Sequence, residues 1–163
     1  MSARISAGIL LYRRGPGGGA GHDGPLEVLL GHPGGPFHAH RDLGDWSVPK
    51  GEVEPGEDPY EVARREFAEE TGQAPPDAAA IPLGTIVQKG GKLVHAWALE
   101  GELDPAASVS NTFTMPWPPG SETIAAFPEI DRVAWFTPAE ARRRVRETQA
   151  PFVDRLEKAL RPR

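Results

Sequence analysis

Apolar residues fall in short runs separated by glycine- and proline-rich stretches. Residues 5–13 (ISAGILLYR) and 26–32 (LEVLLGH) flank GPGGGAGHDGP, which predicts a strand hairpin with a loose tip. From His32 to Asp45 turn formers dominate without sustained periodicity, predicting a loop that leads into the short segment WSVPKG. LGTIVQ (83–88) and KLVHAWALE (92–100) read as a second hairpin turning around Lys89, Gly90 and Gly91, and VAWF (133–136) reads as a last strand. Residues 104–128 carry Pro, Ser, Asn and the run MPWPPGS with little periodicity, so a long loop, functional or disordered, is expected.

The period changes between Asp58 and Gly72. Asp58 suits a helix N-cap, Pro59 the first helical position and Gly72 the stop, so a helix is predicted between them. Thr137 and Pro138 make the same start for PAEARRRVRETQ, and PFVDRLEKAL is a final amphipathic segment. At about 100° per residue, with Glu66 at zero, Glu70 falls near 40° and Glu69 near 300°, so the three acids share one face. Tyr60, Ala63 and Phe67 fall roughly between 60° and 120°, an apolar stripe beside the acidic one.

Composition narrows the class. The 163 residues fit one domain, 1–163, and Gly (19) and Pro (18) cluster between apolar segments, as loops on a folded core would. With 18 basic and 23 acidic groups the net charge is −5, which offers no general attraction for nucleic acid or anionic membranes. The absence of cysteine excludes disulfides, thiolate zinc sites and cysteine nucleophiles. The apolar run near the N-terminus is too short to span a bilayer and leads into Arg13, Arg14 and a glycine loop rather than a cleavage site, so it is read as a strand and the protein as cytoplasmic.

Three carboxylates within one turn repel one another. Either the helix is simply solvated, with Arg64, Arg65 and water relieving the repulsion, or the carboxylates form a site for a hard cation such as Mg²⁺ or Mn²⁺. Spacing alone leaves both readings open. The wider pattern is Gly51, five residues, Glu57, seven residues, then Arg65-Glu66-Phe67-Ala68-Glu69-Glu70-Thr71-Gly72. It resembles the signature of the Nudix hydrolases over the box 51–73 and departs from it at Gln73, where an apolar residue is usual.

The resemblance implies an α/β/α sandwich with a mixed β-sheet and a hydrolase that cleaves nucleoside diphosphates linked to another group. It further implies that Glu66, Glu69 and Glu70 hold Mg²⁺ (or Mn²⁺), helped by a backbone carbonyl at Gly51 or Lys50. Glu66 is the leading candidate for the base, and Arg65 and Glu57 orient the carboxylates. WSVPKG is similar to the lead-in of family members acting on phosphate-rich substrates, which makes Lys50 a candidate phosphate partner. Trp117 is a candidate base-stacking residue, Glu122 or Glu129 a candidate extra ligand or base, and Trp46 is expected in the core. Glu52, Glu54 and Glu61 are expected to be solvated.

Four other patterns are set aside. Gly19-Ala-Gly21-His-Asp-Gly24 precedes a strand rather than a helix, so the context of a dinucleotide cradle is missing. His38-Ala-His40-Arg-Asp42 is followed by Leu43, where a zinc motif of that kind needs histidine. Lys89 stands where many dinucleoside tetraphosphate hydrolases carry tyrosine, and MPWPPGS lacks the second aromatic of the NADH pyrophosphatase array. The resulting expectation is an enzyme acting on a small-molecule nucleotide, with nucleoside triphosphates or dinucleoside polyphosphates favoured and a homodimer allowed. The alternative is a Nudix-fold module that binds a nucleotide without cleaving it.

Overall fold

A computed structural model describes residues 4–15 and 24–161. Residues 16–23 lie outside the described residues, and with them the expected loose hairpin tip and most of the Gly19–Gly24 segment. In chain order the elements are β1 (Ile5–Arg14), β2 (Leu26–Pro33), β3 (Lys50–Glu52), α1 (Pro59–Thr71), β4 (Ile81–Val87) and β5 (Leu93–Glu100). They are followed by β6 (Thr112–Pro116), β7 (Ile124–Pro128), β8 (Ile130–Phe136), α2 (Pro138–Arg144) and α3 (Ala150–Leu160).

The main sheet runs β4-β5-β1-β2-β8, with β3 also paired to β1. β1 and β5 are parallel and the other pairs antiparallel, so the sheet is mixed. β1 alternates between two faces. Ile9 and Leu11 join Leu29, Leu99 and the α1 residues Val62, Ala63 and Phe67 in one core layer. Leu10 and Tyr12 join Val28, Leu30, Trp46 and the α2/α3 residues Ala141, Phe152 and Leu156 in the other. Helices thus cover both faces, giving the expected α/β/α sandwich, and Trp46, 2% exposed, is core.

The arrangement around β3 positions the site. β1 pairs with β2 only through Tyr12–Arg14, and its first half takes β3 instead, with Ala7 opposite Gly51 and Gly8 opposite Lys50. β2 diverges and bridges Gly31 to Ser47. The stretch from Ser47 to Glu52 therefore fills a wedge between the two strands, and Gly8 admits it because a side chain there would meet the Pro49 carbonyl at 2.6 Å.

Two expectations need correction. The 104–128 segment is not one long loop, since β6 and β7 pair within it as a separate two-stranded sheet with Phe113 opposite Phe127. Neither strand holds a buried residue, so the density of Pro, Ser and Gly hides a weak alternation. The predicted helix from Pro138 stops at Arg144, because Val145 turns extended and the chain pairs with Trp46. Trp46 donates to the Arg144 carbonyl at 3.0 Å and accepts from the Arg146 N–H at 2.9 Å.

Candidate active site on α1 and β3

Local chemistry explains why α1 starts and stops where it does. The Asp58 carboxylate accepts from the Glu61 N–H at 3.0 Å, and Pro59 needs no donor in the first turn. Gly72 ends the helix at φ 73°, a left-handed conformation that costs glycine little, and its N–H reaches the Ala68 carbonyl at 2.8 Å. Burial of Val62, Ala63 and Phe67 against β1 fixes the rotation of the helix, which turns Glu66 and Glu70 toward β3.

Glu66 and Glu70 meet β3 in different ways. The Lys50 N–H donates to Glu70 Oε2 at 3.0 Å. The Glu66 carboxyl lies directly over Gly51, so closely that a Cβ on Gly51 would collide with it. That close approach requires glycine here. Glu69 is more open, 44% exposed, and faces Arg65 Nε at 3.9 Å.

Arg65 joins the acids sideways. Its guanidinium donates to Glu57 Oε2 at 2.7 Å and lies 3.7 Å from Glu66 Oε1. Glu57 is itself fixed, accepting from the Glu54 N–H at 2.9 Å. The Arg65 hydrogen bond holds the Glu57 carboxyl below the usual carboxylate range.

The electrostatics mark Glu66 and Glu70 as only partly compensated. Burial, then the charge of Glu69, pushes the Glu66 carboxyl up. Burial, then the charge of Glu66, pushes Glu70 up to about 8 despite the Lys50 N–H. Glu129 adds to both shifts, so the structure brings this residue to the site, whereas Glu122 is exposed near the tip of the β6/β7 hairpin. The Lys50 ammonium is driven down to about 8 by burial, then by Lys92 and Arg146. Desolvation thus outweighs the attraction between Lys50 and Glu70 on both sides of the pair.

The donor set fits a hard divalent cation: carboxylate oxygens that repel one another, beside the backbone of Lys50 and Gly51. Among the described residues no three acidic or histidine side chains converge into a closed metal cage. A pair of carboxylates is what Mg²⁺ typically takes from a protein, with waters and substrate phosphates completing its shell.

Trp117 packs edge-on to Phe37 with ring centroids 5.6 Å apart and to Phe127 at 6.5 Å. Phe37, Phe113, Met115 and Glu129 line an apolar pocket of about 310 Å³. Phe37 and Phe113 escape sequence reasoning because each sits in a stretch without apolar periodicity. In the 38–45 loop, His38 Nδ1 pairs with Asp45 at 2.9 Å, and Asp42 takes the Trp46 Nε1–H at 2.9 Å. Lys89 lines a second, larger cleft together with Arg146.

Residues 4–156 match the family profile described as NUDIX domain. Over 119 residues the chain is 32% identical to an 8-oxo-(d)GTP phosphatase of Mycolicibacterium smegmatis, a match covering 68% of this chain and 34% of that protein. The chain therefore spans about a third of that relative's length. A C. elegans Ap4A hydrolase in a binary complex superposes with a TM-score of 0.63 at 21% identity, covering 95% of this chain and 97% of its own. The NUDIX domain of Shewanella oneidensis NrtR complexed with ADP ribose gives 0.65 at 16% identity, covering 99% and 90%. At such identities the two structures establish a shared fold.

Proposed function

The chain belongs to the Nudix family, and from that premise we propose that it hydrolyses a diphosphate linkage in nucleoside diphosphate-X compounds, nucleoside triphosphates or dinucleoside polyphosphates, with Mg²⁺ or Mn²⁺. The observation that carries this reading is the pair Glu66 and Glu70, half-buried, mutually repelling and held against β3 by Gly51 and the Lys50 N–H. A protein with no use for a cation would gain stability by dispersing these charges.

A bound divalent cation would supply neutralisation of the diphosphate and of the bridging oxygen as it takes up charge. Glu66 and Glu70 would hold it, with the Gly51 carbonyl and the more open Glu69 beside them. Glu66 accepts the proton of the attacking water as the water oxygen bonds to phosphorus. The bond from phosphorus to the bridging oxygen breaks, and its electron pair leaves with the departing phosphate. Arg65, braced by Glu57, keeps Glu66 and Glu69 oriented. Lys50 offers a donor to a substrate phosphate, and Trp117 with Phe37 offers an aromatic wall for a base.

The test is a Mg²⁺-dependent phosphate-release screen on 8-oxo-dGTP, ATP, ADP-ribose and diadenosine tetraphosphate, with Glu70→Gln beside the wild type. Turnover that falls about 100- to 1,000-fold in the variant is expected. Binding without turnover of any compound would replace this reading with the non-catalytic module.

A further inference from the structure

On the α2/α3 side of Lys50 a cleft of about 570 Å³ is lined by His38, Arg41, Gln88, Lys89 and Arg146, among others. Its chemistry is unlike that of the apolar pocket beside Glu129. Among the described residues no phenyl, phenol or indole ring lines it, and its charged groups are mostly cationic. Arg142 and Arg143 also reach it, but they are neutralised by Asp154 and Glu157 and by Glu140. Of the acids that line the cleft, Asp45 is engaged by His38, which leaves Glu147 at the rim.

Arg41, Lys89 and Arg146 differ from these neighbours. Among the described residues none of the three is paired with a carboxylate. The Nε atom of Arg146 is buried and has no hydrogen-bond partner at all. A buried donor left unmet in this way is unfavourable.

The cleft is also built rather than accidental. Gln149, fully buried, accepts from the Val48 N–H at 3.0 Å and donates to Ser47 Oγ and Gln88 Oε1, both at 3.0 Å. This network ties the turn that carries Arg146 to the approach to β3 and to Gln88, the neighbour of Lys89. Gln149 holds the cleft against Val48, and two residues further on the Lys50 N–H holds Glu70. His38 lines both this cleft and the apolar pocket, so the two are neighbours.

Resting on the hydrolase reading, we propose that Arg41, Lys89 and Arg146 bind the phosphate chain of the substrate beyond the scissile linkage. The substrates this chain prefers then carry a linear phosphate chain longer than a triphosphate, as dinucleoside polyphosphates do. A base enters the aromatic pocket and the chain of phosphates runs past the carboxylates into the cationic cleft. The cations there are separate donors on different segments, suited to successive anionic groups rather than to one.

Two measurements on the full chain test this. The first is calorimetric binding of inorganic tripolyphosphate, with EDTA present, to wild type, Lys89→Gln/Arg146→Gln and the control Lys158→Gln, whose side chain lies on α3 outside the cleft. The double variant should lose about tenfold or more in affinity and the control little. Because Arg146 is partly buried, the pair Arg41→Gln/Lys89→Gln, both exposed, repeats the measurement without touching the packed interior. Unchanged affinity in both double variants, or an equal loss in the control, overturns the proposal.

The second measurement is KM for diadenosine tetraphosphate against ADP-ribose. Arg41→Gln/Lys89→Gln should raise the first about tenfold and leave the second nearly unchanged, whereas equal changes in both overturn the assignment. If no nucleotide is turned over but the double variants lose tripolyphosphate, the hydrolase reading fails and the cleft stands as a phosphate-chain site. If turnover is normal and tripolyphosphate binding is indifferent to the substitutions, the cleft fails and the hydrolase stands.

Discussion

The two charged regions that flank β3 are assembled by different routes. The acidic face comes from a single helix, where Glu66, Glu69 and Glu70 are brought together by helical period and need only the apolar stripe of Val62, Ala63 and Phe67 to aim them. The cationic cleft draws Arg41, Lys89 and Arg146 from three separate stretches. It exists only because the chain breaks helix at Val145, turns between Gln88 and Lys92 and is tied together by Gln149. Charges grouped by local geometry are visible in a sequence, and charges grouped by tertiary contacts are not. The acidic face should therefore be hard to move and easy to damage at one point, and the cleft should degrade gradually as its donors are removed.

The sharpest way to break the acidic face without removing an acid is Gly51→Ala. The added methyl would occupy the space of the Glu66 carboxyl, so that side chain must swing away while Glu69 and Glu70 keep their places. A loss of about 100-fold in kcat is expected, since misplacing a reacting group by about 1 Å costs on that order. Steady-state kinetics with circular dichroism as a check on folding decides it, and a variant with wild-type kcat would remove Glu66 from the proposed role of base.

The same contrast explains what could be read beforehand. The bounds of α1 follow from Asp58, Pro59 and Gly72, each acting within one turn, and the structure places them as expected. The two main-sheet hairpins and the burial of Trp46 follow from apolar runs, and their pairing agrees with that reading. The β6/β7 hairpin does not follow, because its strands bury nothing and cross-strand contacts such as Phe113 with Phe127 replace a core. The break of α2 is dictated by Trp46, a partner far away in sequence. Glu129 and Phe37 reach the site region by tertiary folding alone, with no local pattern to single them out.

A medium-sized effect separates the two regions by pH. In the cation-free protein Glu70 sits at about 8, against 4.5 for an unburied glutamate, so the folded state holds a proton that the unfolded chain releases between those values. Stability from this group is present at low pH and is lost as pH rises through about 8. Lys50, driven down to about 8, contributes the opposite slope between there and its ordinary value, 10.5, and loss of the Glu70 charge would lower it further, a smaller change than burial makes. Glu70→Gln should therefore melt with the wild type near pH 5 and about 3 °C or more above it near pH 9, both in EDTA. Melting curves that coincide at both pH values would mean that the carboxylate is not under strain.

The smallest effect concerns Glu129, the acid that folding brings to the α1 carboxylates. Its N–H donates to the Asn111 carbonyl at 2.8 Å and its carbonyl accepts from Gly34 at 2.9 Å, so the backbone is pinned while the side chain stays exposed. Asn111 in turn donates its N–H to the Glu69 carbonyl at 2.9 Å, which anchors this corner to the end of α1. From that position the Glu129 charge raises both Glu66 and Glu70, whereas Glu122, exposed near the hairpin tip, is not among the main causes of either shift. Glu129→Gln should lower kcat by about tenfold or less, and should weaken the dependence on Mg²⁺ concentration, as expected for an auxiliary carboxylate. Glu122→Gln, an equal change in net charge, should alter neither. If the two variants behave alike, the effect is one of overall charge, and the site ends with the acids that α1 itself supplies.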